Sequence, residues 1–201
     1  MGDRSLLHPF IAMTDPFIIT IDGPAGVGKT TLARLLAESL DVAYLDTGAM
    51  FRTLALRLGD NIEIYSDQKI RETCQKVLFS LQGKGMNTEL FCNATLIGEE
   101  IRTEHVAHLA SKIGQNPVVR ECLAISQRLI GAQTSLVAEG RDMGTVIFPH
   151  AQCKFFLDAA PEIRAKRRLL DQTNTDKDQT LEALTEQIRA RDMADRNRPI
   201  A

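Results

Sequence analysis

Eight consecutive residues, Gly23-Pro24-Ala25-Gly26-Val27-Gly28-Lys29-Thr30, carry the spacing G-x-x-x-x-G-K-[ST], and Thr31 follows directly. The spacing has a mechanical reason. Glycines let the backbone wrap with its N–H groups turned inward, and the start of a following helix adds about half a positive charge. The lysine then reaches the outer phosphates and the hydroxyl of Thr30 holds Mg²⁺. Residues 23–31 therefore predict a nest for a nucleoside triphosphate. A second element of the same chemistry is Glu139, at the tip of the apolar run Ser135-Leu136-Val137-Ala138. An acid in that position after a phosphate loop is the usual second carboxylate on the magnesium side, so Thr30 and Glu139 are the candidate metal residues.

The elements that must carry these groups are legible as hydrophobic pattern. Phe17-Ile18-Ile19-Thr20-Ile21 reads as a buried parallel strand ahead of the glycines, and Leu32, Ala33, Leu35, Leu36 and Leu40 are spaced to cover one face of a helix behind them. Val42-Ala43-Tyr44-Leu45 reads as a second strand, feeding a helix over 48–58 with Met50, Leu54 and Leu58 on one side and Asp46 or Thr47 as N-cap. Ligands in open α/β sheets bind beyond the carboxyl ends of the strands, which puts Thr47 and Arg52 where a second substrate would sit. Spacing alone equally allows Thr47 as a cap and Arg52 as a solvated charge.

Over 59–98 the pattern changes. The runs 77–81 and 88–97, separated by Gly83-Lys84-Gly85, suggest a hairpin, read as a small inserted lobe beside the substrate cleft. Helices follow over 104–113 and 117–130, carrying Ser111 and Arg120, with apolar positions that include Ile125 and Leu129. Cys153-Lys154-Phe155-Phe156-Leu157 is a further strand. Pro161 opens a helix with Arg164, Arg167 and Arg168, and a polar loop over 172–179 leads to a last helix through Leu181, Leu184 and Ile188. Two arginine-bearing helices around such a loop predict a lid over phosphates. The fold class expected is α/β, a doubly wound parallel sheet with a small antiparallel hairpin insert and a short lid.

Bulk composition bounds the partners. At 201 residues the chain fits one domain, 13–201, preceded by an extension over 1–12 that reads as a tag remnant or an upstream start. With 44% hydrophobic and 25% charged residues it has the composition of a soluble globular protein, and no apolar run approaches the ~20 residues of a membrane span. A formal net charge of -2 argues against a broad nucleic-acid face. Arginine outnumbers lysine 16 to 8, the choice expected where phosphate is gripped in a planar, bidentate way. Cys74, Cys92, Cys122 and Cys153 show no zinc or disulfide spacing and read as buried thiols in a reducing cytosol.

Six segments together, IDGPAGVGKTTLARLLAESL, LDTGAMFR, GEEIR, AEGRDMGTVIFP, FFLDAAPEIRAKRR and RDMADRNR, resemble bacterial cytidylate kinases, enzymes that phosphorylate CMP and dCMP with ATP. The similarity runs over residues 15–199. It implies P-loop kinase topology, with a monophosphate-binding insert at about 59–113 and a lid at about 161–192. It also implies ATP phosphates on Gly23, Pro24, Ala25, Gly26, Val27, Gly28, Lys29, Thr30 and Thr31; CMP ribose near Thr47, Arg191 and Asp195; phosphate held by Arg52, Arg141 and Arg198; and cytosine near Ser111, Arg120 and Asp142. Lys29, Arg141 and Arg198 are then the groups expected to supply positive charge to the transferring phosphoryl. The partners implied are ATP and CMP or dCMP, with Mg²⁺ as cofactor, acting on a cytoplasmic monomer without nucleic acid or membrane. Two departures stand out: Phe51 occupies a position where the family commonly has Tyr, and the chain stops at Ala201 where family members continue into another strand and a terminal helix. A broader pyrimidine monophosphate kinase, or a nucleotide-binding regulator that lost turnover with its C-terminus, are the alternative expectations.

Overall fold

In the computed structural model, residues 16–171 and 180–197 are described; the extension over 1–12, the polar run 172–179 and Arg198 lie outside them. A four-stranded parallel sheet forms the centre. Its strands are β1 (Ile18–Asp22), β2 (Ala43–Asp46), β6 (Leu136–Gly140) and β7 (Cys153–Phe156), in the order β2-β6-β1-β7. Every residue of β6 is buried, as expected of a strand paired on both sides and covered on both faces. β7 ends the sheet among the described residues and is exposed throughout, Phe156 at 70%.

Alternation along the strands sorts side chains between two cores. Ala43, Leu45, Leu136 and Ala138 face the larger one, shared with α2 (Thr47–Leu58) and α5 (Pro117–Gly131). Ile19, Ile21, Tyr44 and Val137 face the other, beneath α1 (Lys29–Leu40). The buried face of α1 differs from the one expected. Ala33 and Ala37 are the fully buried residues, while Leu32 and Leu35 are exposed, because small side chains let the helix lie close on the strands. Likewise Ile125 and Leu129 of α5 face outward, and Leu123, Ala124 and Gln127 face in.

Between α2 and α5 the chain builds more than one hairpin. A helix not foreseen from sequence, α3 (Asp67–Gln75), capped by Ser66, precedes a three-stranded antiparallel sheet of β3 (Phe79–Gln82), β4 (Glu89–Cys92) and β5 (Thr95–Leu96). The run over 88–97 is split by Asn93 and Ala94, both at positive φ, into a second tight turn. This sheet also sits elsewhere than expected. It docks on α1 and the β2 edge, with Gly85 N donating to Val42 O at 2.8 Å and Tyr44 N to Thr88 Oγ1 at 3.1 Å. The part of the insert that approaches the ends of the central strands is α4 (Glu104–Ile113) and the single turn Glu99–Arg102 before it.

The thiols are less buried than expected. Cys92 is buried, Cys74 and Cys122 are half-buried and hydrogen-bonded to each other, and Cys153 is exposed on the edge strand. Burial pushes the Cys74 thiol up to about 12. Finally, α6 (Pro161–Asp171) packs on α7 (Leu181–Arg196) through Ala165, Leu184 and Ile188.

Candidate active site

The loop between β1 and α1 closes under tight steric limits. Gly23 has φ +144°, and a Cβ there would lie 2.1 Å from Leu157 O, so only glycine fits. Gly28, in the left-handed region, opens α1 without a side-chain cap and leaves the first N–H groups of the helix free for an anion. Lys29 Nζ folds back to donate to Pro24 O at 2.7 Å.

Opposite the loop, three caps aim the other walls. Asp46 accepts from Ala49 N at 2.9 Å, which makes it, and not Thr47, the cap of α2. The Thr47 hydroxyl instead donates to Glu139 O at 2.6 Å. Thr103 caps α4, and Asn116 caps α5 by accepting from Val118 N and Val119 N, with Pro117 in the first turn. After β6 a π-helical turn, Met143–Ile147, swings the chain past the cavity. Its entry is held by Asp22, whose two carboxylate oxygens accept from Met143 N and Gly144 N at 2.8 Å each.

These walls enclose a cavity of about 360 Å³. It brings together Ala25, Gly26, Lys29 and Thr30 of the loop, Thr47 and Arg52 of α2, Ser111 of α4, Arg120 of α5, Glu139, Arg141 and Asp142 after β6, and Arg191 of α7. Gly23, Pro24 and Asp195 line an adjoining hollow that shares Arg120, Arg141 and Asp142 with the first. Gly28 and Thr31 face a third hollow beside Arg167, which shares Gly26, Lys29 and Thr30 with the first. Val27 is buried and lines none of the three. Arg198 lies outside the described residues. Asp46, expected only as a possible cap, also lines the cavity; sequence reasoning missed Asp22 and Arg102, of which Arg102, at the end of the GEEIR segment, lines the cavity too.

Two of the cavity's arginines are paired with carboxylates. Arg120 Nη2 donates to Asp142 Oδ2 at 2.5 Å, and Arg141 Nε to Asp195 Oδ2 at 2.9 Å. Arg191 is different: its Nε is buried with no hydrogen-bond partner among the described residues. Burial, then the neighbouring Arg141, Arg52 and Arg168, pull Arg191 down to about 10. Burial and Arg141 likewise pull Lys29 down to about 7. Burial, followed by the Asp46 carboxylate, holds Glu139 above the usual carboxylate range, against hydrogen bonds from Tyr44 and Thr30. A cluster of cations driven toward neutrality by burial and by one another is what an anion would relieve.

The lid arginines are a partial correction. Arg164, 2% exposed at its side chain, is turned away from the cavity and pairs with Asp192, while its Nη1 donates to Ala25 O at 3.2 Å. It braces the phosphate loop from behind. Arg168 pairs with Glu104 of α4 at 2.5 Å, and Arg167 Nη1 approaches Val27 O at 3.5 Å.

A glycine cradle at the carboxyl end of a parallel sheet, facing a cationic cavity across the strand order, defines a nucleotide-binding protein of the phosphate-loop class. The family model described as cytidylate kinase matches residues 19–201. The cytidylate kinase of Nitratidesulfovibrio vulgaris (strain DP4) is 54% identical over 184 residues, 92% of this chain and 79% of its own length. That of Oleidesulfovibrio alaskensis is 53% identical over 189 residues, 94% of this chain and 86% of its own. The bifunctional pantoate ligase/cytidylate kinase of Prochlorococcus marinus (strain AS9601) is 40% identical over 204 residues, covering this whole chain and 40% of that protein. The chain belongs to the cytidylate kinase family.

Proposed function

We propose that this protein transfers the γ-phosphoryl group of ATP to CMP or dCMP, giving ADP and CDP or dCDP. The observation that carries the reading is that the phosphate loop and the Arg120–Asp142 pair open onto one cavity, with Lys29, Arg52, Arg141 and Arg191 between them. A donor phosphate chain and an acceptor monophosphate can then meet end to end.

At the base end, cytosine offers an N4 amino donor beside N3 and O2 acceptors. Asp142 would accept from N4 while Arg120 donates to the acceptors, with Ser111 beside them. The ion pair keeps both side chains aimed until the base arrives. Uracil presents O4 to the carboxylate, leaving two acceptors opposed, and an unmet buried polar group costs about 1–3 kcal/mol, roughly ten- to hundredfold in preference. Thr47, Arg191 and Asp195 are read as the ribose side.

At the phosphate end the protein needs no covalent intermediate. Lys29, Arg141 and Arg198 are read as the charges about the transferring group, with Arg52 on the acceptor phosphate and residues 23–31 on the donor. Thr30 and Glu139 supply hard oxygen donors side by side, the set Mg²⁺ takes when most of its shell is phosphate and water. Mg²⁺, when bound there, screens the phosphate charge. Segments 59–113 and 161–192 are read as monophosphate insert and lid, and the Arg168–Glu104 bridge joins them. The protein is read as a monomer working in the cytoplasm; no described helix is long and apolar enough to cross a membrane.

A coupled ADP-release assay over CMP, dCMP, UMP, AMP and GMP tests the reading. CMP and dCMP are expected to lead by at least about tenfold in kcat/KM. Equal or better turnover of AMP would end the assignment, and nucleotide binding without ADP formation would favour a regulator.

A further inference from the structure

Glu139, read as a metal-side carboxylate, is held from a neighbouring strand as well as from the phosphate-loop helix. β2 and β6 pair in parallel with Asp46 opposite Glu139 and Tyr44 opposite Val137. Side chains two apart on a strand share a face, so Tyr44 and Glu139 both project toward α1, Tyr44 two register positions further back. From there the Tyr44 hydroxyl donates to Glu139 Oε1. Both residues are buried, at 3% and 5% exposed.

The ring itself is fixed on its other side. Arg34 of α1 lays its guanidinium over the Tyr44 ring, 5.2 Å from the centroid. One helical turn earlier on α1 stands Thr30, whose hydroxyl also hydrogen-bonds Glu139. Arg34, Tyr44, Glu139 and Thr30 thus close a circuit between the phosphate-loop helix and two strands. Packing does not require the phenol oxygen. The ring lies among Ile19, Ile21, Ala33, Ala37, Val42 and Val137, which phenylalanine would fill equally well.

We propose that Tyr44 is a positioning residue that holds the Glu139 carboxylate toward Thr30, so that their oxygens serve one divalent cation on the nucleotide. The inference rests on the reading of Thr30 and Glu139 as metal residues. A carboxylate has about four lone-pair sites. The Tyr44 and Thr30 hydroxyls occupy some of them, and Glu139 lines the cavity with those that remain. Without the phenol donor the carboxylate keeps its place on β6 but loses one of the two bonds that set its rotation. Partners of this outer kind are worth about 10- to 100-fold in metal affinity.

The test is Tyr44→Phe, which keeps the ring, the Arg34 contact and the packing. Mn²⁺ as spin-bearing stand-in is titrated into the enzyme–ADP complex and followed by electron paramagnetic resonance. Affinity for ADP alone is measured in parallel in chelator, and Glu139→Gln is run beside it. The result expected is Mn²⁺ affinity lowered about tenfold in Tyr44→Phe, with affinity for metal-free ADP and KM for CMP unmoved. Two results overturn the proposal while leaving the metal assignment standing: Mn²⁺ affinity unchanged in Tyr44→Phe but weakened in Glu139→Gln, or metal-free ADP weakened as much as Mn²⁺, which marks a general packing defect. Unchanged Mn²⁺ affinity in Glu139→Gln would remove the metal assignment and this inference with it.

Discussion

Lys29 shows how far a single residue's state depends on what the cavity holds. Burial and Arg141 pull it down to about 7 from the usual 10.5. The sign follows from linkage: between those values the unfolded chain holds a proton that the folded chain lacks, so Lys29 makes the empty protein more stable as pH rises through that window. A phosphate against the ammonium reverses the shift and restores the charge. Binding of metal-free ADP should therefore take up more protons near pH 8 than near pH 6, where Lys29 is already charged and the terminal phosphate can shed a proton of its own. Calorimetry in two buffers of different ionisation enthalpy reads this directly, and equal uptake at both pH values would contradict it. Residues 23–31 were legible because the glycine spacing is itself the geometry. Tyr44 and Asp22 were not, since the groups they hold are 95 and 121 residues away and neither type nor spacing hints at them.

At the scale of elements, α1, β2, α2, α4 and α5 could be read from caps and periodicity, while α3 could not. Its sequence is mostly polar, with Ile70 its one buried residue, so period had little to report. The face of α1 was misread for the opposite reason: leucines mark a helix as apolar, but the contact with the sheet is made by alanines. The last two helices were read as a lid over phosphates from their arginines. Their most buried arginine, Arg164, ties α6, α7 and the phosphate loop together through Asp192 and Ala25 O. Arg164→Ala leaves Asp192 without its partner in a poorly solvated place and should cost about 3–5 kcal/mol in urea unfolding. Because the two groups act as a unit, adding Asp192→Ala should recover part of that loss. Strict additivity of the two losses would show that the bridge carries no coupling.

For the molecule as a whole, a doubly wound sheet was legible in the buried β-branched runs, but not its order. Which strand lies between β1 and β2 depends on crossovers, and it is β6, more than 90 residues later in the chain than β2. That insertion is what puts Glu139, Arg141 and Asp142 beside the phosphate loop. The small antiparallel sheet was legible as strands but not in where it docks, since hairpin spacing says nothing about docking. The base end of the cavity is where all of this converges, because Asp142 is set by Asp22 through the π-helical turn and by Arg120 from α5. The most direct test is the ratio of kcat/KM for CMP to that for UMP, measured in the natural sequence and in Asp142→Asn. An amide can turn a donor toward O4 of uracil, so a preference of about ten- to hundredfold for CMP should fall to within a few-fold of unity. A ratio that survives the substitution unchanged would mean that the base is read elsewhere.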